Sequence, residues 1–364
     1  MTTRDHIRGR RSKVGRRVST LALAAVGLTV LSNFATPSVG ASGTTSTESH
    51  MMASSSIASP LTPTRWVAVG VGTLWTYPGV IRSVDRLTIS PPGSIRTWIA
   101  AMTVEQKQWL VGRIETQALY GTEVTVTAES KGWSHVVIPS QPTPRDRRGY
   151  PGWIPTWQLT SRHPKSTSSF AIVTSPTTWV RSVPGALKAK LIMEVSYDTR
   201  LPVVGSNSSS IEVSLLDGRQ GYVLRRNVSV HAVHAILTAT PGAVISESKK
   251  FLGLQYLWGG TSGFGFDCSG FTYSVFHVLG VTIPRDAAPQ ATKGVPVRRQ
   301  NLRPGDLVFF RNGSDVVVHV AIFFGLVNGV PSVIHSPNTG QPISISPLSS
   351  WPSSSFAGAR RYVQ

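Results

Sequence analysis

The apolar pattern of this chain changes character once, near Pro241, and that change limits the folds open to it. Upstream, apolar residues alternate in short runs such as Thr73-Leu-Trp-Thr-Tyr77, Glu123-Val-Thr-Val-Thr127 and Trp133-Ser-His-Val-Val-Ile138. Gly, Pro and Asp separate these runs, which predicts short strands joined by turns. Downstream, residues 242–252 and 269–279 have helical spacing, and strand-like runs follow at 306–310, 319–324 and 332–335. Helices first and an antiparallel sheet afterwards is an α+β arrangement. With 364 residues, 40% of them hydrophobic, the chain has apolar material for several cores.

The strand-rich part divides in two. Residues 65–160 form one unit, with an insert at 95–119 in which Trp98, Met102, Trp109 and Leu110 have mixed helical spacing. Residues 161–169 read as a linker, and 168–232 as a second unit. The two units end alike, on Gly152-Trp-Ile154 and Gly221-Tyr-Val223, each after a turn. Both resemble bacterial SH3-like barrels. The third unit spans 240–364.

Residues 1–17 are basic, and Leu21-Ala-Leu-Ala-Ala-Val-Gly-Leu-Thr-Val-Leu31 is too short to cross a bilayer comfortably. Small residues follow, with Val39-Gly-Ala41 and Asn33-Phe-Ala35 as cleavage candidates. Basic, apolar, then small is the layout of a secretory signal peptide, assigned here to 1–41. Residues 42–64, rich in Ser, Thr and Pro, read as a flexible leader. The expectation is a secreted or wall-associated protein with no membrane anchor once the signal is removed. Net charge is +19, of which the first 17 residues supply +6 (seven Arg and Lys against Asp5). The remaining charge is scattered, as in Arg145-Asp-Arg-Arg148, and no nucleic-acid-binding motif accompanies it. A basic solvated surface is the plainer reading, and an anionic wall polymer stays a candidate partner.

The single cysteine, Cys268, cannot form a disulfide within the chain. It lies in Gly265-Phe-Asp-Cys-Ser-Gly270, where a Gly-rich loop meets the predicted helix 269–279. Unpaired N–H groups and the positive helix end favour thiolate there. A cysteine nucleophile also needs a base. His319 opens a predicted strand and His335 closes the next, so adjacent strands would make His319 the base and His335 the group that fixes its tautomer. His277 and His135 are read as structural.

Tyr256-Leu-Trp-Gly-Gly260, Phe266-Asp-Cys-Ser-Gly-Phe271, Ile283-Pro-Arg-Asp286, Leu302-Arg-Pro-Gly-Asp-Leu307, His319-Val-Ala-Ile322 and Ile334-His335 resemble, in order, the blocks of the NlpC/P60 cysteine peptidases. The resemblance implies a multidomain protein: two small all-β SH3-like barrels, then an α+β papain-like catalytic domain. It implies Cys268, His319 and His335 as catalytic residues and cleavage next to D-glutamate in peptidoglycan stem peptides or muropeptides. The upstream barrels extend the resemblance to the γ-D-glutamyl-L-diamino acid endopeptidases. There the first barrel walls off the site, so that only peptides with a free N-terminal L-Ala fit. The implied ammonium holders are Glu115, Tyr150 and Asp286, with Trp258, Asp267 and Ser269 lining the same pocket. Taken alone, Glu115 would pass for a solvated helix charge and Asp286 for a helix cap. Ala287 departs from the family pattern, where a small polar residue would follow Asp286.

No cofactor is expected. No histidine pair has zinc-type spacing, and Gly259-Gly-Thr-Ser-Gly263 lacks the ending of a phosphate-binding loop. Three readings stay open: the peptidase just described, a hydrolase of polymeric wall (endopeptidase or amidase), and a wall-binding protein without catalysis.

Overall fold

A computed structural model describes residues 63–79, 82–185 and 189–364. The expected signal peptide lies outside these residues. So does the expected leader up to residue 62, whereas Thr64 already opens the first strand.

The first unit is a seven-stranded antiparallel sheet that begins at Thr64–Val67 and ends at Leu159–Thr160. Numbering its strands one to seven along the chain, their order across the sheet is 3-2-6-5-4-1-7. The second unit, from Ser169–Val173 to Val228–Ala232, repeats that order strand for strand. Each has its own apolar interior. Val67, Leu74, Val124, Val136 and Ile154 fill the first, and Val173, Val180, Val195, Val213 and Val223 the second. Both match the expected SH3-like barrels.

The barrels differ between their second and third strands. In the first barrel this connection carries short helices at Arg86–Ile89, Ile95–Ala101 and Val104–Gln108. Ser94 and Thr103 cap the latter two, accepting from Thr97 N–H and Gln106 N–H at 3.2 Å each. The helical reading of the insert stops too late, however. Ile114–Leu119 is a strand paired with Val71–Trp75, because alternate residues there face the barrel core. Glu115 therefore sits on a strand, not on a solvated helix.

The third unit sets the helix Cys268–Val278 against a six-stranded antiparallel sheet, the α+β arrangement expected. Strands Leu307–Arg311, Val317–Val327, Val330–His335 and Ser344–Pro347 are consecutive neighbours in it. Phe271, Val275 and Phe276 of the helix pack on Leu307, Phe309, Val320, Ile322 and Ile334. Burying each such phenylalanine contributes about 1.5–3 kcal/mol relative to leaving it exposed.

The first barrel and the catalytic unit share a core: Trp75, Trp98 and Ile114 cluster with Leu257 and Phe264. Polar contacts fix the register between them. Thr261 Oγ1 donates to Gln117 O (3.0 Å), Ser262 Oγ to Gln117 Oε1 (2.8 Å) and Arg285 N–H to Pro142 O (3.0 Å). The second barrel docks on the same unit through Tyr197 Oη, which donates to Glu247 (2.7 Å), and through Asp198 paired with His277 Nδ1 (2.5 Å). His277 is thus a structural residue between units, as its place inside the helix predicts.

Candidate active site

Cys268 is the first residue of its helix, and Asp267 is the N-cap, accepting from Gly270 N–H at 2.6 Å. Gly270 is required for close approach: a Cβ there would lie 2.0 Å from the Gly260 carbonyl oxygen. The backbone N–H groups of Val320 and Ser269 pull the Cys268 thiol pKa down. Its environment nevertheless differs from the expectation of a resting thiolate. Burial, then the negative charge of Asp267, push the thiol up to about 12, outweighing those N–H groups and the more distant Arg285. The helix end is positive, but desolvation of the charged form wins.

His319 and His335 lie on adjacent strands, with His319 Nε2 and His335 Nδ1 3.0 Å apart in a shared hydrogen bond. His335 Nε2 and Ser346 Oγ share the next one, at 3.2 Å. His319 is thereby left with Nδ1 for a reacting group. Burial lowers the pKa of both rings, and in His319 the neighbouring His335 adds to the effect. The pair is neutral at pH 7, as a proton acceptor must be. Trp351 stacks on His319 at 6.0 Å and meets His335 edge-on at 4.9 Å, closing one side. Nothing in the spacing around Trp351 announces this; it is a lone aromatic in a Ser/Pro loop.

The residues expected to hold an ammonium also come together. Tyr150 Oη donates to Asp286 at 3.1 and 3.0 Å, joining the first barrel to the catalytic unit. Burial pushes the Asp286 carboxyl up against the opposing pull of Arg285. Glu115 joins the cluster through Arg145, whose guanidinium donates to both Glu115 oxygens and, at 3.4 Å, to Tyr150 Oη. Within the scattered charge of 145–148, Arg145 is the residue that reaches this cluster. Its partner is 30 residues away, too far for a local pattern to show.

Trp258, Asp267 and Ser269 are placed differently from a free pocket lining. Trp258 Nε1 donates to Ile114 O at 3.1 Å, and its ring joins the core shared with the first barrel. Arg285, only 1% exposed, donates to both Asp267 oxygens (3.1 and 2.7 Å) and to Ser269 Oγ (3.0 Å). Asp267 and Ser269 thus hold the first turn of the helix around Cys268. Through Arg285, whose neighbour in the chain is Asp286, the nucleophile and the acceptor cluster are tied together. Tyr256 is deeply buried; burial first, then the charges of Cys268 and Asp267, hold its hydroxyl protonated. Sequence reasoning assigned it no role. A cavity of about 620 Å³ between the barrels, lined by Trp157, Trp179 and Glu194 among others, includes none of these residues.

Residues 253–361 match the family model described as NlpC/P60 family, and 173–231 match the YKFC SH3b2 domain. The gamma-D-glutamyl-L-lysine dipeptidyl-peptidase of Bacillus cereus is 41% identical over 82% of this chain and 90% of its own length. The chain belongs to the NlpC/P60 family. The enzyme of the same name from Bacillus subtilis is 38% identical over 77% of this chain and 92% of its own. The crystal structure of an NlpC/P60 protein from Bacillus cereus superposes with a TM-score of 0.76 at 38% identity, covering 83% of this chain and all of that one. This NlpC/P60 protein is accordingly a cysteine peptidase, built from bacterial SH3-like barrels and a catalytic domain.

Proposed function

We propose that this peptidase is exported and hydrolyses the γ-D-Glu–diamino acid bond of peptidoglycan stem peptides that carry a free N-terminal L-Ala. The observation that carries the reading is the acceptor cluster of Glu115, Tyr150 and Asp286, held against the Cys268 helix by Arg285. A buried ammonium needs such acceptors, and an acylated amine cannot use them. The names of the Bacillus relatives support the choice of bond. The basic, apolar and small segments of residues 1–41 support export. A secreted reporter fused to them is expected to leave the cytoplasm, and retention inside would oppose that part.

In this reading the resting pair is a neutral thiol and a neutral imidazole. As Sγ attacks the γ-carbonyl, its proton passes to His319 Nδ1. His319 Nε2–H then donates to His335 Nδ1, and His335 Nε2–H to Ser346 Oγ, which spreads the new charge. The Cys268 N–H, at the first position of its helix and free of an intrahelical acceptor, is the donor available to the developing oxyanion. His319 returns the proton to the leaving amine, and water hydrolyses the acyl-enzyme by the reverse steps.

Cys268→Ala is expected to remove turnover, about a 10⁶-fold loss. Glu115→Gln is expected to raise KM for the free-amine peptide while moving kcat less. Full activity of Cys268→Ala in peptide hydrolysis would refute the chemistry, and an unchanged KM in Glu115→Gln would refute the ammonium role.

A further inference from the structure

We propose that Arg145 is a specificity residue: it cedes Glu115 to the substrate ammonium and turns onto the free α-carboxylate of the γ-linked D-Glu. This rests on the reading of the amine subsite given above.

In the structure a cation already occupies the Glu115 acceptor. The Arg145 guanidinium binds both Glu115 oxygens, and its carbon sits 5.3 Å over the Tyr150 ring. A substrate ammonium arriving at Glu115, Tyr150 and Asp286 therefore meets a competitor of the same charge. The site's charges say where that competitor can go. Three carboxylates (Glu115, Asp267, Asp286) face two guanidiniums (Arg145, Arg285), one negative charge in excess. The ammonium neutralises the excess. A γ-linked glutamate, however, also brings its own α-carboxylate, five bonds from that ammonium, and this second charge needs a cation.

Arg285 cannot supply it. It is buried, and its donors are committed to Thr116 Oγ1 (2.9 Å), Asp267 and Ser269. Arg145 can. Its side chain is 44% exposed and stands on the connection between the strands Trp133–Ile138 and Tyr150–Pro155, so its guanidinium, unlike that of Arg285, has room to turn once the substrate ammonium takes over Glu115. A planar guanidinium also fits a carboxylate in two-point contact, whereas a carboxamide offers it one acceptor oxygen. Exchange at Arg145 would let one residue read both charges of the substrate's first two units.

The test is steady-state kinetics on L-Ala-γ-D-Glu-L-Lys and on the same peptide with its α-carboxylate converted to the amide (D-isoglutamine). Wild type, Arg145→Gln and Arg145→Lys are compared. Wild type is expected to favour the carboxylate peptide by about tenfold or more in kcat/KM, chiefly through KM. Arg145→Gln is expected to lose that preference, and Arg145→Lys to keep part of it. The preference is a ratio within one preparation, so partial misfolding of a variant does not move it. An unchanged ratio in Arg145→Gln, or no preference in wild type, would overturn the proposal. The N-acetylated peptide, run beside them on wild type, tests the underlying reading separately. Its efficient cleavage would remove the amine subsite whatever Arg145 does.

Discussion

At the residue scale the balance at Cys268 is set by desolvation. A thiol held near 12 by burial and by Asp267 is mostly protonated at pH 7. Alkylation by iodoacetamide follows the thiolate, so its rate is expected to keep rising through pH 9 and above; a plateau already reached below pH 7 would show a resting ion pair instead. The sign follows from the raised pKa: raising pH toward it increases the thiolate fraction. His319 and His335 have lowered pKa values, so acidification to pH 5 is expected to leave the base neutral. Replacing His335 by alanine removes the partner of His319 Nε2. A kcat loss of about 10²–10⁴ is expected with KM little changed, and a loss under threefold would deny His335 its orienting role. Cys268, His319 and His335 were legible as candidates through the ordered blocks that resemble the NlpC/P60 peptidases, since strand-end spacing alone does not separate two histidines from the other seven. Arg145 and Trp351 were not, because each acts through a partner distant in the chain.

At the scale of elements, the helix Cys268–Val278 is placed by its first turn. Asp267 caps it, Arg285 grips Asp267 and Ser269, and Gly270 lies against the Gly260 carbonyl. Gly270→Ala would force a Cβ into that carbonyl, and overpacking of this kind costs about 1–3 kcal/mol. A lower melting temperature and reduced kcat are expected together; a variant as stable and as active as wild type would mean that the turn has slack. The helix itself was legible from its spacing, starting one residue earlier than read. The stretch Ile114–Leu119 was not. Trp109 and Leu110 just before it continue the apolar spacing of the insert, and nothing in the local pattern marks the switch to a strand. Pairing with Val71–Trp75 decides it, and that pairing also orients Glu115.

At the scale of the molecule, two barrels of identical strand order serve different ends. The second, without the helical insert, braces the catalytic domain through Tyr197–Glu247 and Asp198–His277. The first carries the insert and the connection 139–149, and it supplies Glu115, Tyr150 and Arg145 to the site. Duplication was visible in the like endings at Gly152-Trp-Ile154 and Gly221-Tyr-Val223; the division of labour was not, since it depends on which barrel docks beside Cys268. In the proposed function, Glu115 and Tyr150 of the first barrel act with Asp286 of the catalytic domain to set the demand for a free amine. Mass-spectrometric cleavage of L-Ala-γ-D-Glu-L-Lys beside its N-acetylated form tests that demand most directly. Cleavage between D-Glu and Lys of the free-amine peptide alone is the expected result, and equal cleavage of both peptides would contradict it.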